Sequence, residues 1–525
     1  MKEIFLIFWL VAYLRRQLIF QYWWQTKEYR TDRFLVFLKT PEGRSKTELW
    51  WFSLKLCLFI FSFFLQAIIF LYLLTLLWEN FKFLYELITH QLRRPKITLR
   101  SSCFIFTSFI IGGAVIFWSW KDFKLLFLFL TDWLSFIVPL ISLFWTNLIL
   151  KIVLKIQSQK ALAILDQSKT KIIAITGSYG KSSTKHLLFE LLKENSSTIK
   201  TPASYNTPLG IVQTINKDLN PKIKYFICEM GAYKKGEIND LCRIVKPDYA
   251  IITGIAPQHL ALFGNMENLI KTKYEIAQNL KKEGILFLNV SQSSINPLLA
   301  LTKKNKIKVI TYSFGKDNNQ KADFWASLIS QQKDSTTFKM VSPQKTFKFT
   351  TNITDLSLIE NLIGALTVAL TLNLPVESLR NIIRNLPEIP SGIKIKKNSP
   401  NFTLIDDSFN SNPVGFSAAI NTLSKFKGFK VVITEGIQEL GDKTNPTHVE
   451  LGKQMKIVDL ILTPSVSLVK PLQEGSGQDK QKIILIKPSI KLEKLRKLIK
   501  IPAVILLEGR LPLMLVKTIN LMCTW

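Results

Sequence analysis

The chain has 525 residues, is 47% hydrophobic, and carries a formal net charge of +31 from 69 Lys and Arg against 38 Asp and Glu. This length and apolar content predict two to four domains with real cores. This charge favours an anionic partner, such as a membrane surface or a phosphorylated substrate, and we expect no nucleic-acid partner. The alternative is a lysine-rich composition spread over solvated faces, since the basic residues are scattered along the chain rather than gathered in one block. The five cysteines form no C-x-x-C pair, which argues against a disulfide framework or a zinc site.

The first 150 residues are predicted to form an α-helical transmembrane domain with three to four helices. Long, almost uncharged runs lie at residues 49–78, 103–120 and 125–150. About 20 apolar residues are enough to cross a bilayer, whereas helices of soluble proteins alternate apolar and polar faces. A buried helical bundle is the alternative explanation of the same runs.

The extreme N-terminus and the membrane orientation leave alternatives open. Arg15 and Arg16 interrupt the apolar residues 1–24, which fits either a marginal span or an interfacial amphipathic helix. If the part after residue 151 is cytoplasmic, the basic loop at 92–100 obeys the positive-inside tendency, but the basic loop at 27–46 conflicts with it.

From residue 171 onward, short apolar runs alternate with helical patterns, which predicts two α/β domains with mostly parallel sheets. Residues 151–170 read as a helical linker. A proline-rich joint at 386–392 separates a central domain, 171–390, from a C-terminal domain, 391–525. The predicted strands are 172–175, 225–230, 249–254, 285–289, 307–312, 402–406, 430–434, 458–463, 482–486 and 503–507. The polar residues 314–350 are expected to form antiparallel strands.

A glycine-bearing loop, Thr-Gly-Ser-Tyr-Gly-Lys-Ser-Ser-Thr at 176–184, follows the first of these strands and opens a helix. Gly177 and Gly180 allow backbone N–H groups to turn inward, and the helix start adds the positive end of its dipole. Lys181 supplies a point charge and Ser182 a hydroxyl that can bind Mg²⁺. The pattern therefore predicts a site for a nucleoside triphosphate, although an ordinary glycine turn has the same outline.

Further candidate residues follow the other strands. Glu229 ends a strand, where an acidic Mg²⁺ ligand is needed, and His259 follows the next strand. Lys273 lies on the following helix. Asp407 belongs to the stretch Asp-Asp-Ser-Phe-Asn-Ser-Asn-Pro at 406–413, again at a strand end.

These five stretches resemble, in order and spacing, the motifs of the Mur ligase family over residues 171–525. The resemblance implies a P-loop central domain with a mostly parallel sheet and a Rossmann-like C-terminal domain. It also implies ATP-dependent amide bond formation through an acyl phosphate, with ATP and Mg²⁺ as cofactors. Domain closure would bring Asp407 to the nucleotide.

The same resemblance implies a role for each candidate residue. The catalytic residues would be Lys181, His259 and Lys273, and Lys273 matches the lysine that many family members carbamylate. The nucleotide would be bound by Gly177, Ser178, Gly180, Lys181, Ser182, Ser183, Asn361 and Asp407. The metal ligands would be Ser182, Glu229 and His259, and the substrate side would carry Asn206, Thr207, Asn410 and Asn412.

Three departures from the family pattern stand out. The chain has Gly392-Ile393-Lys394 where the family has a Gly-Arg pair, so Lys394 or Lys396 would have to replace the arginine as a point charge. Ser357-Leu358 stands where a His-Asn pair is expected. The family's N-terminal domain for uridine nucleotides is absent, and the membrane domain takes its place.

We therefore predict a ligase of peptidoglycan precursor synthesis that adds D-alanyl-D-alanine to a muramoyl-tripeptide whose carrier is UDP or a lipid. It would be a multi-pass inner-membrane protein in contact with membrane lipids, with its ligase domains in the cytoplasm. The alternatives are a membrane-associated ligase of the poly-γ-glutamate type and a non-catalytic membrane scaffold with a degenerate ligase body.

Overall fold

The computed structural model describes residues 2–62, 68–89, 91–121, 125–203, 205–291, 293–315, 322–332, 334–390, 393–408, 411–477 and 482–523. The chain divides into two compact units, Met1–Lys155 and Ile156–Trp525. The first unit is helical and the second contains two β-sheets.

The first unit differs in detail from the predicted spans. Its helices are α1 Lys2–Thr26, α2 Thr31–Lys39, α3 Pro41–Lys46, α4 Leu49–Ser62, α5 Ile68–Ile88, α6 Leu99–Lys121, α7 Leu125–Leu134 and α8 Val138–Asp166, the last of which continues into the second unit. The single span predicted at 125–150 is wrong, because the chain turns at 135–137 and Pro139 starts a new helix. Helix α8 then continues through residue 150 and most of the predicted linker.

Two of the described helices, α6 and α8, are long and apolar enough to cross a membrane by length and composition. Helix α1 passes through Arg15 and Arg16 without a break. The arginines do not interrupt the helix because both side chains are buried against carboxylates of the same unit, Glu48 and Glu86 for Arg15 and Glu79 and Asp132 for Arg16.

A buried network of four charges joins helices α1, α4, α5 and α7. Arg16 donates to Glu79 at 2.5 Å and also to Asp132, and Lys55 Nζ lies 2.7 Å from Glu79 and 2.6 Å from Asp132. Trp51 Nε1 donates to the other oxygen of Glu79 at 2.7 Å. Two cations balance two anions, so the network is neutral although each member is buried.

The first sheet of the second unit has, among the described residues, the strand order β2-β3-β1-β4-β5-β6-β7-β8-β9. Its strands are β1 Lys171–Thr176, β2 Thr198–Lys200, β3 Tyr225–Glu229, β4 Tyr249–Ile252, β5 Ile285–Asn289, β6 Lys308–Phe314, β7 Phe324–Gln331, β8 Thr336–Val341 and β9 Thr346–Thr351. Strands β1 to β7 pair in parallel, and β7, β8 and β9 are antiparallel. The predicted parallel core and its antiparallel extension are both confirmed.

The second sheet has the order β10-β11-β15-β12-β13-β14. Its strands are β10 Lys394–Ser399, β11 Phe402–Asp407, β12 Phe429–Thr434, β13 Leu460–Thr463, β14 Lys482–Leu485 and β15 Ala503–Glu508. All pairs are parallel except β10 with β11. The sequence missed the edge strands β2 and β10, which are short or polar and carry no apolar run.

Helices cover both sheets. They are α9 Lys181–Lys193, α10 Pro208–Asp218, α11 Glu237–Ile244, α12 Leu260–Phe263, α13 Met266–Gln278, α14 Asn296–Lys304, α15 Leu356–Thr371 and α16 Val376–Arg384 on the first sheet, and α17 Pro413–Ser424, α18 Thr444–Gln454, α19 Val466–Ser476, α20 Leu492–Leu498 and α21 Leu513–Cys523 on the second. The core of the first domain is formed by apolar faces of β1, β3, α9 and α15. This packing fixes the carboxyl ends of β1, β3 and β4 side by side, where ligands bind in open α/β sheets.

Candidate active site at the edge of the first sheet

The loop between β1 and α9 has two positions where only glycine fits. Gly177 has a φ of +151° and Gly180 a φ of +74°, which side chains rarely adopt. A Cβ atom at Gly177 would collide with the Thr253 hydroxyl, and one at Gly180 would collide with the Asn361 side-chain oxygen. The backbone at these two positions therefore carries no side chain, which allows a phosphate to approach its N–H groups closely.

The loop is held in place from β4 and the segment after it. Ser178 donates its backbone N–H to Gly254 O at 2.8 Å and its hydroxyl to Ala256 O at 2.9 Å. Thr253 donates its hydroxyl to Tyr179 O. These bonds fix the loop before any ligand binds.

Lys181 begins helix α9 and folds back over the loop. Its Nζ donates to Gly177 O at 2.8 Å. Burial lowers the pKa of Lys181, and the negative charge of Glu229 opposes this effect. The ammonium group therefore already lies against the loop backbone, where a point charge for phosphate is needed.

Glu229 ends β3 and is 2% exposed. Its Oε2 accepts from Ser182 Oγ at 2.8 Å and from Lys185 Nζ at 3.0 Å, while Asn206 Nδ2 lies 3.4 Å from Oε1. The predicted pair of Ser182 and Glu229 is thus in direct contact, next to Lys181.

These residues fit a magnesium–nucleotide complex. A buried carboxylate beside a serine hydroxyl offers the hard oxygen ligands that Mg²⁺ prefers. The glycine loop, the start of α9 and Lys181 form a cradle suited to the phosphates of a nucleotide.

Lys273 lies on α13 and is 3% exposed. Burial and, after it, the Lys181 cation lower the pKa of Lys273 to about 7. Its Nζ is 5.9 Å from the centre of the Phe263 ring. A substantial fraction of this amine is therefore neutral and nucleophilic near neutral pH.

His259 contacts a glutamate of the C-terminal domain. Its Nδ1 lies 2.6 Å from Glu439 Oε2, Ala261 N donates to Glu439 O at 2.9 Å, and the Tyr233 ring packs edge-on at 4.8 Å. Within the residues that the structure describes, no group of three or more His, Cys, Asp and Glu side chains is arranged for a metal. The structure brings together Ser182 and Glu229, and it pairs His259 with Glu439.

Asn361 lies on α15 and contacts the phosphate loop. Its Oδ1 accepts from Thr184 Oγ1 at 3.3 Å and closes the space above Gly180. Ser183 is buried in the first turn of α9. Ser357, which stands in the expected His-Asn position, instead donates its N–H and hydroxyl to Asp355, the residue that caps the start of α15.

Asp407 ends β11 and is in register with Glu508 at the end of β15. Glu508 is fully buried, and Ser411 Oγ donates to its Oε1 at 2.6 Å. Burial first, and then the Asp355 and Asp406 charges, raise the pKa of Asp407 to about 6, while burial and Asp407 raise the pKa of Glu508. Because the carboxyl groups of Asp407 and Glu508 are adjacent and shielded from water, ionisation of one disfavours ionisation of the other.

Several predicted residues have local structural roles. Thr207 caps α10, with its hydroxyl 3.4 Å from Gly210 N, and Asn412 Oδ1 caps α17 by accepting from Val414 N and Gly415 N. Lys396 Nζ lies 3.6 Å from Asp406, and Lys394 lies 3.6 Å from Glu388. Asn410 and Gly392 lie outside the described residues.

Sequence reasoning missed three charged residues of the site: Lys185, Glu439 and Glu508. Lys185 could have been found, because it follows Lys181 by four residues and so lies on the same face of α9. Glu439 and Glu508 carry no such signal, since tertiary packing alone brings them to His259 and Asp407.

Comparison with known proteins agrees with this geometry. Residues 175–369 match the Mur ligase middle domain. The UDP-N-acetylmuramoyl-tripeptide--D-alanyl-D-alanine ligase of Buchnera aphidicola is 31% identical over 291 residues, which cover 55% of this chain and 61% of that relative. The chain thus matches less than two thirds of the relative's length.

Two solved structures have the same fold. MurF from Acinetobacter baumannii has a TM-score of 0.62 at 24% identity, covering 70% of this chain and 80% of that one. MurF from Thermotoga maritima, solved in complex with ADP, has a TM-score of 0.61 at 22% identity, covering 70% and 84%. Residues 175–369 therefore match the Mur ligase middle domain, and the chain shares the fold of these two ligase structures over 70% of its length.

Proposed function

We propose that this protein is an ATP-dependent ligase that adds D-alanyl-D-alanine to a muramoyl-tripeptide. The observation that carries the proposal is the contact of Ser182 with Glu229 beside the glycine loop and Lys181. The similarity to the Buchnera ligase supports this choice of substrates. The domains of this reaction would be 171–390 and 391–525, joined through 151–170 to the first 150 residues.

In the proposed reaction, a substrate carboxylate attacks the γ-phosphorus of ATP, ADP leaves, and an acyl phosphate results. The amine of D-alanyl-D-alanine then displaces phosphate and loses a proton as the amide forms. Bound Mg²⁺ would neutralise the charge that develops on the phosphates. Lys181 and the loop amides of Gly177, Ser178, Gly180, Ser182 and Ser183 would hold the phosphates in place.

The remaining residues have proposed roles around this centre. Ser182, Glu229 and His259 would be the metal ligands, and Asn361 and Asp407 would contact the nucleotide. Asn206 would contact the muramoyl substrate, since it lies against Glu229 at the same edge. We assign Thr207, Asn410 and Asn412 to the same substrate side.

A phosphate-release assay tests the proposed function. The purified full chain, ATP and Mg²⁺ are combined with UDP-linked or lipid-linked muramoyl-tripeptide and with D-alanyl-D-alanine, and we expect phosphate release only when both substrates are present. Release that depends on glutamate instead would identify a poly-γ-glutamate type of ligase. Nucleotide binding without turnover for any acceptor would identify a non-catalytic scaffold.

We further propose that Lys273 is carbamylated. Its neutral amine would attack CO₂, so that an N–C bond forms and one proton goes to solvent, which converts a cation into a carboxylate-like group. In ¹³C-bicarbonate we expect a carbamate NMR signal that grows between pH 6 and 8, because the pKa of about 7 controls the neutral fraction. The signal should vanish in Lys273→Met and persist in Lys271→Met, an exposed lysine on the same helix. A signal of equal size in Lys273→Met would refute the assignment.

We also propose that the first 150 residues lie in the inner membrane and that the ligase domains face the cytoplasm. The support is the length of α6 and α8 and the exposure of large apolar side chains along them, such as Phe117, Trp118, Phe144 and Trp145. The full chain should remain in the membrane pellet after an alkaline carbonate wash. Its release into the supernatant would favour a buried helical bundle.

A further inference from the structure

Helix α9 carries a second lysine, Lys185, which the proposed chemistry does not use. It is fully buried. Its Nζ donates to Glu229 Oε2 at 3.0 Å and also to the backbone oxygen of Ala203. A single ammonium group thus touches both the proposed metal ligand and the segment that leads to the proposed substrate residue Asn206.

That segment, 201–206, of which residues 201–203 and 205–206 are described, contacts the end of β3. Glu229 N donates to Thr201 Oγ1 at 3.2 Å, and Gly231 N donates to Asn206 O at 3.1 Å. Both carboxylate oxygens of Glu229 are therefore engaged, Oε2 by Lys185 and Ser182 and Oε1 by Asn206.

The backbone of Ala203, whose carbonyl oxygen accepts from Lys185, has a strained conformation. Ala203 has a φ of +39°, in the left-handed region that residues with a Cβ rarely occupy. Such a conformation is strained and persists only where surrounding contacts enforce it. In this conformation the Ala203 carbonyl points to Lys185 Nζ.

We propose that Lys185 is a positioning residue that couples the metal–nucleotide site to the segment 201–206. It supplies the positive charge that Glu229 needs when no metal is present, and it keeps one carboxylate oxygen oriented. A change at Glu229 on metal binding is transmitted through the same ammonium group to Ala203, in the segment that leads to Asn206. This inference rests on the proposed function for the identity of the metal ligand and of the substrate side.

The coupling is measurable without turnover, so its failure is distinct from failure of the proposed function. Mn²⁺ binding with a non-hydrolysable ATP analogue is followed by electron paramagnetic resonance, and amide hydrogen exchange is followed at 201–206. In the unmodified full chain we expect the metal–nucleotide complex to slow exchange at 201–206 as well as at 177–183. Removal of a residue that orients a metal ligand typically weakens metal binding 10- to 100-fold.

In Lys185→Met we expect Mn²⁺ binding weakened about tenfold and the slowing at 201–206 lost, while slowing persists at 177–183 once the metal is saturating. If the methionine variant does not fold, Lys185→Gln, which retains a hydrogen-bond donor but no charge, replaces it in the same two measurements. Lys193→Met, an exposed lysine on the same helix, is the control and should behave like the unmodified chain. Equal slowing at 201–206 in the Lys185 variants, or none in the unmodified chain, overturns the coupling.

Discussion

Lys181→Met should reduce phosphate release at least 10³-fold while leaving the fold intact. The ammonium group folds over the loop and donates to the carbonyl oxygens of Gly177 and Ser178, so it would face the negative charge that develops during phosphoryl transfer. Loss of a single group of this type in a preorganised site costs about 10²–10³ in rate, and we expect the high end because Lys181 would also bind the nucleotide. Steady-state phosphate release and the titration of a fluorescent ATP analogue give the two readouts.

The matched control is Lys282→Met, which removes an exposed lysine from a loop of the same domain. This variant should retain full activity. Circular dichroism should be the same for both variants. A Lys181→Met protein with more than a tenth of the unmodified activity would remove the lysine from the phosphate site.

Gly180→Ala should abolish nucleotide binding. Two effects act together: the φ of +74° is strained for alanine, and the new Cβ would collide with the Asn361 side-chain oxygen. The loop must move to relieve the collision, and its N–H groups then leave the positions in which they could bind phosphate. Calorimetric titration with ADP and Mg²⁺ measures the loss, which we expect to exceed 100-fold.

Gly236→Ala separates the two effects. Gly236 has a similar φ of +92°, but a Cβ atom there would meet open space. This variant carries only the backbone strain, about 1 kcal/mol, and should bind ADP within about twofold of the unmodified chain, which corresponds to about 0.4 kcal/mol. If both variants lose binding equally, strain alone explains the effect and the contact with Asn361 is irrelevant.

The fold of the second unit was predictable because its parallel strands are continuous apolar runs, buried on both faces. Thus β5 has its predicted bounds, and β1, β3 and β4 lie within two residues of theirs. The helical unit was less predictable, since apolar content alone does not show where a helix ends. The turn at 135–137 depends on local hydrogen bonds and on Pro139 rather than on any change of composition.

For the site, strand ends were the informative signal. Ser182 and Glu229 were expected together because parallel strands β1 and β3 end at one edge, and they are in contact. The pairing of His259 with Glu439 could not be read from the sequence, because the two residues are 180 positions apart and belong to different domains. Thr207 and Asn412 show a different limit of sequence reasoning. Both residues match the motif of a substrate site, but both also cap a helix, so the motif alone does not establish a role in binding.

The neutral network of the helical unit restricts how the chain can be shortened for experiments. Arg16 is supplied by α1, whereas Glu79 and Asp132 come from α5 and α7. A protein that starts after residue 26 would keep both carboxylates and only Lys55, and so would carry one unbalanced negative charge in its interior. Since a buried charge without its partner costs about 3–5 kcal/mol, trimming the N-terminus helix by helix would give a misfolded product. The helical unit is better kept whole or removed whole.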